Sequence, residues 1–209
     1  MQDAEPPPLR SRLHSQLHSQ LHPQLQSRLQ SLASIEAALW RELEAATADR
    51  GHEWRVAVLA TVDAGLPEAR CIVLREVDAV RRRVVFYSDA RSPKVRQAAA
   101  APAAVLVMWS RRLSWQLRLR VDLGVLAAGP EVASRWERLA LTSAAQDYLG
   151  PLAPGSRAGD GEPPPPGRAD GHHFAVLTGQ VRSADWLELH PAGHRRAAFD
   201  DDGARWLVP

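Results

Sequence analysis

Four side chains in one short stretch of this sequence have the chemistry of an anion cradle. Arg70 opens the apolar run Arg70-Cys71-Ile72-Val73-Leu74-Arg75, and Arg91, Ser92 and Lys94 follow a second run at Phe86-Tyr87-Ser88-Asp89-Ala90. Arginine offers phosphate oxygens a planar fork of donors, and lysine adds a mobile point charge. Chain geometry lets Arg70, Arg91, Ser92 and Lys94 converge on one small anion, and phosphate is the expectation. No glycine-rich nucleotide loop accompanies them, so the ligand is expected on a β-sheet.

The elements that must position these groups can be read from hydrophobic period. Ser34 reads as the cap of a helix that carries Ile35, Leu39, Leu43 and Ala46 on one face and ends near Asp49-Arg50-Gly51. Val56–Val62 reads as a buried strand, Asp63-Ala64-Gly65 as a hairpin turn and Ala69–Val77 as the returning strand. Val84–Ser88 is a third strand, followed by a short helix over Lys94–Ala101 that Pro102 ends. Ala104–Trp109 and Trp115–Leu126 are two more strands, and Pro130 marks the first turn of a helix bearing Val132, Trp136, Leu139 and Leu141. Phe174–Arg182 is a sixth strand, and Trp186–Leu189 and Trp206–Val208 close the chain. This succession predicts a mainly β fold with attached helices, an antiparallel barrel; an open α+β sheet would give the same pattern.

Bulk composition narrows the class. The chain has 209 residues, 45% hydrophobic and 24% charged, enough for one good core. It has no apolar run of the roughly 18 residues that a membrane helix needs, so no membrane association is expected. Met1–Pro8 lacks a basic start followed by an apolar stretch, and the single cysteine suits a reducing compartment, so the expected location is cytoplasmic. A net charge of +2 is too small to indicate nucleic acid, and Arg81-Arg82-Arg83 and Arg111-Arg112 read as solvated basic turns.

One segment stands outside the domain expected at 31–209, and a second interrupts it as a loop. Residues 1–30 carry leucine at every fourth position from Leu13 to Leu29 and histidine at His14, His18 and His22, a low-complexity tail expected to be disordered or partly helical rather than a metal site. Residues 150–167 form a proline- and glycine-rich loop that includes Pro163–Pro166.

Taken together, Trp54 to Lys94, Gln116-Leu117-Arg118-Leu119 and the ending His194 to Pro209 resemble the pyridoxamine 5′-phosphate oxidase-like flavoproteins, over about residues 36–209. The resemblance implies a split β-barrel that forms a homodimer, with FMN at the subunit interface and a small-molecule substrate. It places the strand Arg70, Cys71, Ile72, Val73, Leu74 and Arg75 under the flavin. It assigns cofactor contacts to Tyr87 and Ser88, phosphate contacts to Arg70, Ser92 and Lys94, and a ring contact to Gln116. Trp186 falls where a tryptophan reaches the flavin from the other subunit. Arg75, His194 and Arg195 are the candidates for substrate or catalytic roles.

The sequence also departs from that pattern. Pro93 stands where a basic phosphate ligand is usual, with Arg91 as a possible substitute. Arg75 replaces a lysine, and Ala144 and Ala198 stand where arginines are usual. An FMN-dependent oxidase or reductase is therefore the first expectation, and a non-catalytic flavin-binding sensor or carrier the alternative.

Overall fold

A computed structural model describes residues 28–157 and 171–209. The histidines and most of the leucines of the N-terminal repeat, and Pro163–Pro166, lie outside the described residues. Helix α1 spans Leu32–Ala48, and its cap is Ser31: the Ser31 hydroxyl accepts from the Ser34 amide at 3.1 Å while Ser34 Oγ takes the reciprocal contact. Ser34 is thus the third helical residue and not the cap, because a serine at each end of the first turn satisfies both free backbone donors. Ile35, Leu39, Leu43 and Ala46 form one buried face, as their helical spacing requires.

The strands are β1 (Val56–Asp63), β2 (Leu66–Asp78), β3 (Arg83–Asp89), β4 (Ala103–Ser110), β5 (Trp115–Leu126), β6 (Phe174–Glu188), β7 (Arg195–Asp200) and β8 (Gly203–Leu207). Helices α2 (Pro93–Ala100) and α3 (Pro130–Ala140) and short 3-10 turns at Glu53–Arg55 and Ser143–Tyr148 connect them. The β1–β2 hairpin turns on Ala64 and Gly65, both at positive φ (50° and 87°), the two-residue geometry that matches strand twist.

All neighbouring strands run antiparallel, and β3 pairs with β6 in addition to β2. That pairing closes β1, β2, β3, β6, β5 and β4 into a ring, which removes the edges that an open sheet would expose. The fifteen-residue β6 is the unusual member. Its first half, from Phe174 to Gln180, pairs with β3, and its second half, from Ala184 to Glu188, pairs with β7, while β5 runs along both. The sequence shows Phe174–Arg182 and Trp186–Leu189 as separate pieces because Ser183-Ala184-Asp185 interrupts the apolar pattern.

Strand alternation sorts the side chains. Inward residues of β1, β2, β4 and β5, among them Leu59, Leu74, Leu106 and Leu117, fill the ring together with Trp54, Phe86 and Trp186. Each fully buried leucine of this kind stabilises the fold by about 1.5–3 kcal/mol. A second, smaller cluster forms outside the ring, where α3 and the Ser143–Tyr148 turn pack Val132, Leu139 and Tyr148 onto Val85, Phe174 and Val176. The outward residues of β1 are apolar yet exposed: Val56, Val58 and Val62.

Candidate functional site

Arg70 shares the inward face of β2 with Ile72 and Leu74, but it stands at the end of the ring rather than in its core. Its guanidinium is held in place by the residues around it. Nη1 donates to Thr61 Oγ1 at 2.5 Å and Nη2 to Gln97 Oε1 at 2.8 Å. Thr61 also donates to Gln97 Oε1 at 2.7 Å, and Gln97 Nε2 donates to Asp63 Oδ2 at 3.1 Å. The buried hydroxyl of β1 and the buried amide of α2 therefore fix a cation on β2, since a buried polar group must find a partner. Asp63 also pairs with Arg96 at 2.9 Å.

Ser88 ends the inward row of β3, and Ser92 leads into α2, where Pro93 takes the first helical position that suits a residue without an amide hydrogen. The Ser92 hydroxyl does not cap its own helix; it meets Ser88 Oγ at 2.9 Å. Lys94 Nζ donates to both hydroxyls, at 3.3 and 3.4 Å. Among the described residues no carboxylate forms an ion pair with Lys94. Partial burial and then the nearby charge of Arg70 push its pKa below the usual lysine range, against a smaller opposing pull from Asp89. A half-buried lysine facing an arginine, with only hydroxyls for company, is suited to an anion with more than one negative charge.

These groups line one cleft of about 440 Å³, bounded by Asp63, Glu68, Arg70, Ser92, Lys94 and Gln97 and walled by Pro154 and Gly155. Thus Arg70, Ser92 and Lys94 meet as the sequence predicts, with Ser88 beside them. Thr61 and Gln97 carry no motif signal of their own. The available cues were a hydroxyl in an otherwise apolar strand and a glutamine three residues after Lys94, on the same helix face.

Arg91 stands elsewhere. Its fork grips Asp89, at 3.1 Å from Nε to Oδ1 and 2.7 Å from Nη2 to Oδ2, and its remaining donors reach the carbonyls of Gly150, Pro151 and Leu152. It does not line the cleft. A guanidinium already committed to a buried carboxylate and three carbonyls leaves no fork for phosphate.

The rest of the Arg70–Arg75 strand divides by face. Ile72 and Leu74 are buried inside the ring, whereas Cys71 is exposed and Val73 half-buried on the outer surface. Arg75 sits at an irregularity between Leu74 and Glu76, and its guanidinium carbon lies 5.5 Å from the centre of the Tyr87 ring. Tyr87 donates its hydroxyl to Glu76 at 2.9 Å, and Glu76 also receives two hydrogen bonds of 2.8 Å from Arg135. Arg135 and Tyr87 hold the Glu76 carboxyl below the usual range. Burial and the Glu76 contact push the Tyr87 phenol up to about 12. Arg75 and Tyr87 thus belong to the outer aromatic cluster and not to the anion cleft.

Gln116 stands half-buried on the outer face of β5, level with Trp109 on β4 and Leu187 on β6. Among the described residues its amide has no hydrogen-bond partner. Trp186 is fully buried, edge-on to Trp115 with ring centres 5.4 Å apart. It is buried in the core of the ring, and its indole nitrogen has no hydrogen-bond partner among the described residues. Arg195 grips Glu188 at 2.9 and 3.1 Å and donates to the Leu29 carbonyl, while His194 Nδ1 accepts from the His190 amide in an exposed turn. Arg195 thus ties the start of β7 to β6 and to the segment before α1, while His194 engages only its own turn.

Comparisons with known proteins bear on the family and the fold. The sequence profile of the family described as pyridoxamine 5′-phosphate oxidase, FMN-binding domain, matches residues 32–127. A pyridoxine/pyridoxamine 5′-phosphate oxidase of Maricaulis maris is 31% identical over 167 residues, 72% of each chain. One from Caulobacter vibrioides is 28% identical over 187 residues, 82% of each chain. A third, from Thermosynechococcus vestitus, is 39% identical over a shorter stretch that spans 40% of that protein.

The chain belongs to the pyridoxamine 5′-phosphate oxidase FMN-binding domain family.

The fold agrees. A pyridoxamine 5′-phosphate oxidase-related, FMN-binding protein of Nostoc punctiforme superposes with a TM-score of 0.67 at 23% identity, covering 86% of this chain and all of the other. PhzG of Burkholderia lata, solved with tetrahydrophenazine-1-carboxylic acid, superposes with a TM-score of 0.65 at 19% identity, covering 90% and 96%. The profile match runs from α1 to the end of β5 and so contains the whole Arg70–Lys94 cleft apart from its Pro154–Gly155 wall, while Trp186, His194 and Arg195 lie beyond it.

Proposed function

We propose that this chain binds FMN and serves as an oxidoreductase for a small substrate. The single observation that carries the reading is the Lys94 ammonium, half-buried opposite Arg70 with no ion-pair partner among the described residues. The residues fit the group: Arg70, Lys94, Ser88 and Ser92 are positioned to hold the phosphate, and the unpartnered Gln116 amide can hydrogen-bond a heterocycle edge. When bound, FMN supplies hydride-transfer chemistry, and the protein contributes orientation and electrostatics. Arg75, on the outer face with Tyr87, is the candidate cation for an anionic substrate group.

The exposed face of Val56, Val58, Val62 and Trp109 adjoins Gln116 through the Trp109–Gln116 pair. A contiguous apolar face of this kind is a recognised mark of an interaction surface. We take it as the seam of a homodimer that places the flavin ring between subunits.

A second reading, a flavin carrier without turnover, is favoured by the engagement of Arg195 with Glu188 and of His194 with its own turn. The purified full chain should be yellow, with absorbance near the flavin maxima, and should release FMN on denaturation. A colourless protein that ignores added FMN overturns both readings. Peroxide formation with pyridoxamine or pyridoxine 5′-phosphate excludes the carrier.

A further inference from the structure

The outer wall of the phosphate cleft is not built from the barrel. It comes from the stretch Gly150–Gly155, whose Pro154 and Gly155 line the cleft. Gly155 lies against the start of α2: a Cβ there would stand 3.6 Å from Pro93 Cγ, and its φ of +84° is one that other residues rarely adopt. Little in the backbone holds this stretch. Among the described residues its only backbone hydrogen bond is local, from the Ser156 amide to the Ala153 carbonyl.

Arg91 is what ties it down. Nη2 donates to the carbonyls of Gly150 at 2.8 Å and Leu152 at 3.2 Å, and Nη1 to that of Pro151 at 3.1 Å. The same guanidinium is anchored from behind by the buried Asp89, which also accepts the Arg91 amide at 2.8 Å. Asp89 belongs to the turn that leads directly into Ser92 and Lys94. One side chain therefore bridges the turn that presents the anion ligands and the strap that encloses them. A lysine could keep the charge beside Asp89, but it lacks the planar fork that reaches three successive carbonyls.

We propose that Arg91 is a positioning residue: it holds the Gly150–Gly155 strap as the outer wall of the phosphate cleft and thereby sets the residence time of the bound phosphate ester. This rests on the reading of the cleft as a phosphate site. The strap does not bind the ligand itself; it limits escape and excludes water from Lys94. Loss of its anchor acts on departure more than on arrival.

The test uses the full chain loaded with FMN. Flavin fluorescence regained on dilution gives the dissociation rate, and hydrogen exchange reports on the amides of residues 150–157. Arg91→Lys is expected to speed dissociation about tenfold, the equivalent of one or two hydrogen bonds. Association should change by less than threefold, and exchange should rise in the strap but not in β1 or β2. Asp89→Asn, which slackens the anchor from behind, should do the same to a smaller degree. A dissociation rate within twofold of the parent, with the strap loosened, overturns the proposal, and so does a strap whose exchange ignores both variants. If the parent chain does not retain FMN, the cofactor reading fails separately. Inorganic phosphate then serves as the probe: it should slow strap exchange in the parent and not in Arg91→Lys, and an equal effect in both overturns the Arg91 role.

Discussion

Arg70 on β2 and Gln97 on α2 are joined by a 2.8 Å hydrogen bond, and the same glutamine reaches Asp63 on β1 with its amide nitrogen. A strand cation is thus aimed by a helix residue twenty-seven positions later in the chain. Replacing Gln97 with leucine should leave Arg70 and the buried Thr61 hydroxyl short of a partner. The expected result is a loss of about 1–3 kcal/mol in chemical unfolding and a weakening of FMN binding by roughly tenfold. Unchanged binding would show that Arg70 orients itself.

Lys94 is predicted to behave as a ligand group that burdens the empty fold. Lys94→Met should lower FMN affinity by roughly tenfold to a hundredfold, the range for a charge-assisted hydrogen bond. In the ligand-free protein it should raise the unfolding temperature at neutral pH. The sign follows from the lowered pKa: the cost of holding the charged form is present below the folded pKa and fades as the pH rises toward the ordinary lysine value. Calorimetry of ligand-free protein with and without the substitution checks this.

The chain has only two tyrosines, Tyr87 and Tyr148, and both phenols are raised, mainly by burial. Native protein should therefore show little tyrosinate absorbance at pH 10, where half would be ionised in an unfolded chain. The contribution of Tyr87 to stability is complete below its unfolded value of about 10 and is lost as the pH rises through about 12. Absorbance at the tyrosinate band, read before and after adding denaturant at one pH, measures it directly.

Trp186 should act on the fold and not on the ligand. Trp186→Ala is expected to cost about 3–5 kcal/mol, and the milder Trp186→Phe should retain FMN with parental affinity. A large change in flavin affinity for the phenylalanine variant would return Trp186 to the site.

The exposed valines offer a test of self-association. Val58→Asp places a charge in the middle of the outer face, opposite Cys71 on one side and Val107 on the other. Sedimentation should then report a monomer, and FMN retention should fall with it. A monomeric parent chain would overturn the proposed seam.

Much of this was legible in the sequence for a physical reason. β4 and β5 alternate cleanly, β1 to β3 are apolar runs of strand length, and the turns carry breakers such as Ala64-Gly65 and Pro102. β7 was not legible: Arg195-Arg196-Ala197-Ala198-Phe199-Asp200 has no strand-like run, and it is a strand because β6 and β8 supply partners on either side. At the site, Arg70, Ser92 and Lys94 could be found because their types suit an anion. Arg91 has the same chemistry, yet it spends it on carbonyls and Asp89, and only the tertiary path of Gly150–Leu152 reveals that. Trp186 illustrates the converse, since a large aromatic reads the same in a core as beside a ligand. Arg70 and Arg75 bracket one strand but face opposite sides, the alternation being broken further by the irregularity at Glu76.

The strand that changes partners midway gives the molecule a modular architecture. Closure of the ring uses the front half of β6, and the ribbon of β7 and β8 hangs from the back half. Alterations to the ribbon therefore leave every hydrogen bond between β3 and β6 in place. Hoop and ribbon still share one core, because Ala197 and Phe199 of β7 are buried in the same cluster as Trp186, so only the outward positions of the ribbon can change without disturbing the hoop.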